Sequence, residues 1–509
     1  MPTRITGLGS GLDIETLVQQ QMQAKRIPID LKRQKLTSLS WQRDAYREVN
    51  TQVSAFLNEV RNLRLESTFL AKKASMSTDD SQKVTVKPTS GSLNGNFTLE
   101  VKQLAKNATL ISKDKLGIAG DTKQAVTAVQ EELTISGELG EKKITIMAGD
   151  NISQIVGRIN AETSSTGVKA VYDQFSDKLT FVSTQTGELS TVQVKGSSAF
   201  LDKLQLEQAA GPGDTGVIKG VDAEVNFNGN GWAKVRSNSF TMNNINFTLL
   251  KDPGATPYTI NASVNSDVDK VVDSVKSFVT KYNDLIKNLN DKITEKKYRD
   301  YKPLTENQKK DMKEKDIELW EEKAKSGLLA GDSIIRGGLD RMRRALSDNL
   351  SGLPDGVIKS LADIGITTKP SDGTNTGAYK EQGKLYLDED KLRQALTDYP
   401  DQVNNLFTKE GARDDKGRLI NPSQAGIGTR LFDIVNMEII SGISEKTQTV
   451  PTQSPLNQLI DDYTKKIARE ESELSKYEQK LYSQYARLEQ ALNKFNSQGS
   501  YLSSFFQKG

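Results

Sequence analysis

The C-terminal end of the chain carries an apolar residue at every seventh position. Ile460, Ile467, Leu474, Leu481, Leu488 and Phe495 follow one another without a break. Seven residues make about two helical turns, so these side chains fall on one stripe of a single helix, as in a coiled coil. Such a stripe must be covered by something, and what covers it decides the fold. The companion stripe is mixed: Leu456, Tyr463, Glu470, Tyr477, Gln484 and Ala491. Glu470 and Gln484 argue against a tight two-stranded zipper. They suit a helix that packs against several partners or partly against solvent.

The N-terminal end has the same periodicity. Leu39, Gln42, Tyr46, Val49, Val53, Phe56, Val60 and Leu63 alternate steps of three and four, which predicts a second helical seam. Upstream, Leu12, Ile14, Leu17, Val18 and Met22 predict a shorter amphipathic helix. Ser10, with Asp13 three residues on, reads as its start signal. Pro28 is expected to end or kink that helix near Ile27. A third helix is predicted over 266–293 from Val271, Val275, Phe278, Tyr282, Leu285 and Leu289. A fourth is predicted from Thr305, where Thr305 and Gln308 form a capping-box pair and Ile317, Trp320, Ala324 and Leu328 line one face. The run from Lys309 to Lys325 alternates in sign and reads as a solvated helix face, not as a nucleic-acid patch.

Between these helices, residues 76–264 are rich in Ser, Thr, Gly, Asn and Val. Short alternating runs recur there: Lys83–Val86, Phe97–Val101, Lys143–Ile146, Lys178–Val182, Ser239–Met242 and Ile245–Leu249. Turn residues separate them, the pattern of antiparallel strands. A short helix is predicted over 151–161 from Ile152, Ile155, Val156 and Ile159, and a Gly/Pro loop over 209–216. A second strand pair is read at Ile364–Thr368 and Gly383–Leu387, before a helix with Leu392 and Leu396. The fold class that follows is α+β and multidomain. The terminal helices are expected to come together as one antiparallel coiled-coil stalk, with the β-rich part inserted between the helices.

Composition narrows the chemistry. The chain has 509 residues, of which 35% are apolar; that is low for globular proteins and predicts an elongated molecule with much surface per residue. The 69 Lys+Arg nearly balance the 66 Asp+Glu, so no global charge favours nucleic acid or an anionic membrane. The chain has 0 Cys and 0 His, which excludes a disulfide, a Cys/His zinc site, a thiol nucleophile and a His general base. No cofactor and no metal are expected. Asp388-Glu389-Asp390 stands where a strand hands over to a helix, and the helix dipole accounts for it better than a metal does. Paired carboxylates could hydrolyse glycosides, but one sequence does not show which carboxylates pair; the chain is expected not to be an enzyme. No run approaches the ~18 apolar residues of a membrane span, so no membrane insertion is expected. Residues 1–18 carry Gly7, Gly9, Gly11, Asp13 and Glu15 where a secretory signal needs an apolar core. The Gly7-Leu8-Gly9-Ser10-Gly11 cluster lacks the spacing of a dinucleotide fingerprint and the Gly-Lys-Ser/Thr ending of a phosphate loop. It reads as a lead into a capped helix.

Taken in order, these segments resemble one family. Ile5-Thr6-Gly7-Leu8-Gly9-Ser10-Gly11-Leu12-Asp13 is similar to the opening of the flagellar filament cap proteins (hook-associated protein 2, the FliD family), and Trp41-Gln42-Arg43-Asp44-Ala45-Tyr46-Arg47 to their next block. The stretch from Ile144 to Val182 resembles the repeat of flagellins and hook-associated proteins. Phe227-Asn228-Gly229, Phe247-Thr248-Leu249-Leu250, residues 320–329, residues 383–390 and the heptad tail are similar to the family's C-terminal half. The resemblance covers nearly the whole chain.

The resemblance implies a function that composition could not. It implies a homo-oligomeric ring at the distal tip of the bacterial flagellum, beneath which flagellin is inserted and by which its loss is prevented. Motility would then depend on it. The resemblance also implies domain boundaries: 1–42 with 445–509 as terminal coiled-coil helices, 43–75 with 265–444 as a helical leg domain carrying a β-hairpin, 76–120 with 211–264 as one β-rich head, and 121–210 as a second head inserted in it. The implied partners are further copies of the chain, flagellin, the hook–filament junction proteins, and the flagellar export apparatus with a cytoplasmic export chaperone. Passage through that apparatus would need no cleavable signal. Host mucin or another surface is a candidate for a secondary adhesion role. The alternatives are a hook–filament junction protein or other axial flagellar protein, or a surface adhesin. The candidate site is the seam itself: Leu39, Tyr46, Val49, Val53, Phe56, Val60 and Leu63, with Ile460, Tyr463, Ile467, Leu474, Tyr477, Leu481, Leu488 and Phe495. To these the resemblance adds the N-terminal motif Gly7, Leu8, Gly9, Ser10, Gly11, Leu12 and Asp13.

Overall fold

Asp13 caps the first helix: its carboxylate accepts a hydrogen bond from the Thr16 N–H at 3.0 Å. The structure is a computed structural model and describes residues 13–368, 383–448 and 454–506; Gly7 to Leu12 lie outside them. The helix that Asp13 opens runs from Ile14 to Asn62 and continues through Pro28. The expectation that Pro28 ends it is therefore corrected. Ile27 and Pro28 are exposed, so water can hydrate the carbonyl that the proline leaves without a donor. Beyond Pro28, Ile29 is buried, and Lys32 and Arg33 pair with Glu470 and Glu471 of the C-terminal helix. These ties hold the next turn in register.

The protein is an α+β chain of two units, residues 1–69 with 269–509, and residues 70–268. The first unit is mostly helical. Its longest elements are the N-terminal helix and the C-terminal helix Pro455–Phe506, which pack along each other. The body of the unit is built on the central helix Val268–Thr294, whose Val271, Val275, Phe278, Tyr282, Leu285 and Leu289 are all buried. Phe56 of the N-terminal helix stacks on Phe278 with ring centroids 5.9 Å apart and leans on Tyr282 at 6.2 Å.

Residues 427–447 form one further helical run, α-helical over Ile427–Asp433 and Ser441–Thr447 and π-helical over Ile434–Ile440. The sequence reading missed it. Ile427, Leu431, Val435, Ile439 and Ile443 recur every fourth residue and are all buried. A spacing of four drifts around an ordinary α-helix, which turns every 3.6 residues; a wider π-turn in the middle returns the stripe to one side. Helix Ser333–Ser347 lies tight against this run. A Cβ on Gly338 would stand 2.5 Å from the Ile439 side chain, so only glycine permits that approach.

The fourth predicted helix is two. Thr305 and Gln308 form the expected capping box on Glu306–Lys310, but the chain breaks before Glu314–Lys325. The small strand pair is Ile366–Thr367 with Tyr386–Leu387, followed by helix Glu389–Asp398, which Asp388 caps.

The second unit is β-rich, its strands pairing antiparallel, and has two cores. Around the first core, a five-stranded sheet runs in the order Lys72–Met76, Tyr258–Ser266, Gly95–Gln103, Ala223–Phe227, Trp232–Val235. A three-stranded sheet, Ser239–Met242, Ile245–Leu249, Val84–Pro88, completes it. Leu99, Val101, Val225, Phe247 and Ile260 fill the space. The chain leaves this core after Ala105 and returns at Ala223. In between, Leu133, Ile135, Ile155, Phe181, Val194 and Phe200 belong to the second core. There a four-stranded sheet (Ile218–Lys219, Thr191–Gly196, Glu131–Gly137, Gly140–Ile146) and a three-stranded one (Asn107–Ile111, Lys178–Thr186, Val168–Asp173) are joined by helix Ile152–Ala161, whose Asn151 forms a capping box.

Candidate functional surface along the terminal helices

The two seams meet only in part. Near its start the N-terminal helix buries Ile14, Val18 and Met22 with Leu481, and Leu474, Tyr477, Tyr482 and Tyr485 pack around them. The helices run antiparallel: Glu15 accepts from the Tyr482 hydroxyl at 2.9 Å, while farther along Lys32 reaches Glu470 at 2.7 Å. Gln21 donates to the Tyr485 hydroxyl at 3.1 Å, and Lys25 lies over the Tyr477 ring. The pairing is apolar at its centre and polar at its flanks. Glu470, an oddity in the heptad, is the partner of Lys32.

From Leu39 onward the N-terminal seam turns to other neighbours. Leu39, Tyr46, Val49, Val53, Phe56, Val60 and Leu63 are buried. Phe56 meets the central helix, and the N-terminal helix packs against the 427–447 run. Gln42 donates to the Leu328 carbonyl at 3.2 Å. Hence the lower N-terminal seam is part of a helical core, not of a two-helix coil.

On the C-terminal helix, Ile460, Tyr463, Leu474 and Tyr477 are half-buried and Ile467 is buried. Leu481 is 5% exposed, Leu488 44% and Phe495 68%. The heptad therefore continues after its cover ends. Leu488 and Phe495 are both among the exposed large apolar side chains, and roughly 27 Å of helix follows Leu488 at 1.5 Å per residue. Tyr501 and Leu502 are exposed on the same stretch. Of the N-terminal motif only Asp13 is described; the Thr16 hydroxyl and N–H hold its carboxyl below the ordinary carboxylate range.

One polar cluster escaped the sequence reading. The Tyr46 hydroxyl donates to Asp332 at 2.5 Å, and Lys446 reaches both Tyr46 (2.9 Å) and Asp332 (3.2 Å). Asp332 also caps helix Ser333–Ser347 through the N–H groups of Ile334 and Ile335. Burial opposes its ionisation, but the bonds from Tyr46 and Ile335 and the Lys446 charge hold its pKa below the usual value. Burial and the bond to Asp332 push the Tyr46 phenol up. Asp332 before Ile334 and Ile335 was a readable cap signal; Lys446 gave none. Among the described residues there is no group of acidic side chains able to hold a metal, and no helix is long and apolar enough to cross a membrane.

Long terminal helices around a helical body and β-rich domains in one chain have a close parallel among known proteins. Residues 10–108 match the family model for the flagellar hook-associated protein 2 N-terminus, and residues 220–497 that for its C-terminus. The chain belongs to the flagellar hook-associated protein 2 (FliD) family. It is a flagellar filament cap protein. Residues 132–185 of the cap protein also match the flagellin hook IN motif. The hook-associated protein 2 of Halalkalibacterium halodurans is 31% identical over 99% of this chain and 99% of the relative. That of Escherichia coli K12 is 24% identical over 98% of this chain and 97% of its own. The crystal structure of the D1-D2-D3 domains of the flagellar cap protein FliD from Escherichia coli aligns with a TM-score of 0.54 at 23% identity, covering 82% of this chain and 99% of that one; this supports the fold. The cap protein is thus flagellum-associated, with flagellar components as its partners.

Proposed function

We propose that the protein acts as a homo-oligomeric ring at the distal tip of the filament, retaining flagellin and guiding its addition, with the terminal helices as legs that grip the filament end. The observation that carries this reading is the uncovered heptad at Leu488 and Phe495, directly beyond the covered Leu481. An apolar stripe in continuous register, left bare among the described residues, is suited to helices supplied by neighbouring subunits. The mechanism is steric: each incoming flagellin displaces a leg contact and the ring steps on. The domain division implied by the family likeness is kept as part of this proposal, with the inner head widened to about 106–222, where the two β cores change over, and the β-rich unit begun at Leu70. So are export through the flagellar apparatus with a chaperone and contact with the hook–filament junction proteins.

The test is Leu474→Asp with Leu481→Asp. A carboxylate forced into the covered seam costs several kcal/mol, about 3–5 for an unpaired buried charge, so the helix pair separates instead. The double variant is expected to be exported and to keep its β-rich cores. It should fail to dock on filament ends, and cells carrying it should shed flagellin into the medium. Normal filaments and motility would overturn the leg mechanism.

A further inference from the structure

The loop 295–304, which follows the central helix, is tied down through its backbone and its rings. The Lys296 carbonyl accepts from the Ser326 hydroxyl at 2.6 Å, and the Lys302 carbonyl from the Trp320 Nε1–H at 2.8 Å. Glu295 accepts from the Gly327 N–H at 2.9 Å. Tyr301 leans on Trp320 with ring centroids 4.6 Å apart and meets Tyr298 edge-on at 6.0 Å. The loop is thus anchored, yet three of its cations are left without partners.

This loop, the N-terminal helix and residues 324–328 together line a cavity of about 260 Å³. Lys35, Lys297, Arg299 and Lys302 are in its lining, all four are exposed, and no carboxylate is in the lining. None of the four has an ion pair among the described residues. The acids nearby in sequence do not neutralise them. Glu295 is held by Gly327, Glu321 pairs with Lys309 at 2.9 Å, and Asp300, exposed in the same loop, is not in the lining. The contrast with the cavity of about 720 Å³ beside helix Ser333–Ser347 is plain. There Arg341, Arg344, Arg418 and Arg430 meet Asp348, Asp414, Asp433 and Glu438, one carboxylate for each cation. Like charges gathered around one small cavity repel each other, and an anion that enters relieves this repulsion. Leu31, Pro303, Ala324 and Leu328 add an apolar part to the same lining.

We propose that this cavity docks an acidic peptide segment of another protein, with carboxylates at Lys35, Lys297, Arg299 and Lys302 and an apolar side chain between them against Leu31, Pro303 and Leu328. The size selects side chains over a cofactor, since the volume lies below the ~300 Å³ at which small-ligand pockets begin. A nucleic acid needs a longer basic track and open ring faces for stacking. Here Lys296 already lies over the Tyr298 ring at 4.9 Å and Lys323 over the Tyr301 ring at 4.8 Å. The proposal does not depend on ring formation.

The test is titration calorimetry on the full-length protein. The probes are acetyl-Glu-Leu-Glu-Leu-Glu-amide, its Gln-for-Glu and Gly-for-Leu counterparts, and a single-stranded oligothymidylate. The Glu-Leu peptide is expected to bind, more weakly as salt is raised, and the Gln-Leu peptide not to bind. The Glu-Gly peptide should bind less tightly than the Glu-Leu one. Lys35→Gln, Lys297→Gln, Arg299→Gln and Lys302→Gln together should weaken Glu-Leu binding roughly tenfold, several exposed ion pairs being lost at once. Removing four exposed lysines of the β-rich unit instead, Lys87→Gln, Lys123→Gln, Lys142→Gln and Lys169→Gln, should change it less than about twofold, because exposed charges beyond a Debye length are screened. A thermal melt shows that each variant is folded. If the first fourfold variant is not, Lys297→Gln with Arg299→Gln decides in its place, with roughly a threefold loss expected. Equal losses in the two fourfold variants, equal binding of the Glu-Leu and Glu-Gly peptides, tighter binding of the oligothymidylate, or no peptide binding would each overturn the proposal. Loss of self-association in the first variant without any peptide binding would give the cavity to a second copy of the chain.

Discussion

The central helix and the C-terminal helix are written in the same pattern and have different fates. In the central helix Val271, Val275, Phe278, Tyr282, Leu285 and Leu289 are all buried. In the C-terminal helix cover is complete at Leu481, and absent at Phe495 among the described residues. The difference does not lie in hydrophobicity, since Phe278 and Phe495 are the same residue. It lies in the neighbours supplied by the described residues: Phe278 has Phe56 and Tyr282 around it, and Phe495 lies past the turn that Ile14 and Val18 cover. Periodicity therefore announces a face that needs a partner, and leaves open whether that partner is in the same chain.

The largest effect is expected where the face is fully covered. Phe278→Ala leaves a cavity between the N-terminal and central helices and should destabilise the helical unit by about 3–5 kcal/mol, read as a lower denaturant midpoint. The β-rich unit, with its own cores, should keep its transition. A loss under ~1 kcal/mol would mean that the central seam is as loosely held as the terminal one, and the comparison would fail.

A smaller effect, tunable by pH, is expected at the polar cluster where the N-terminal helix enters the body. The native pKa of Asp332 lies below the ordinary aspartate value. A carboxyl lowered on folding adds stability that is fully present above the unfolded pKa and is lost as pH falls through the native one. Asp332→Asn keeps the cap and removes the charge. The wild type should be the more stable at neutral pH, and the gap should begin to close near pH 3.8 and vanish below the native pKa. A gap independent of pH across that window would show that the Tyr46–Asp332–Lys446 contacts do not depend on the charge.

Much of this architecture could be read from residues. The α+β class, the central helix, the short helix from Ile152 and the capping box at Thr305 followed from spacing and cap chemistry. Other features could not be read this way. Strand Lys72–Met76 has no alternating apolar pattern and exists because Tyr258–Ser266 offers it an edge. Pro28 carries a local stop signal that solvent exposure and the Lys32–Glu470 pair override. The 427–447 run hid because its stripe steps by four, and a search for steps of three and four passes over it. For the candidate site, which positions make the stripe was legible, but where cover stops was not. That depends on the antiparallel register, set by pairs such as Glu15–Tyr482 and Lys32–Glu470, 467 and 438 residues apart in sequence.

The smallest effect on the isolated protein is also the one that separates the two helices most sharply. Phe495→Asp replaces an exposed ring, so the folded chain loses no packing. The change in stability should stay within about 0.5 kcal/mol, the ordinary range for a surface site. The same substitution at Phe278 would bury an unpaired carboxylate and unfold the helical unit. If the bare heptad is covered only in the assembled filament tip, Phe495→Asp puts a charge into that contact at the moment it forms. Purified protein should then melt as the wild type does, while cells carrying it release flagellin and lose motility. Two other outcomes are informative. A clear drop in stability would mean that Phe495 is already covered within the single chain. Unchanged stability with full motility would mean that the stripe beyond Leu481 faces solvent throughout, and that the grip on the filament is made by other residues.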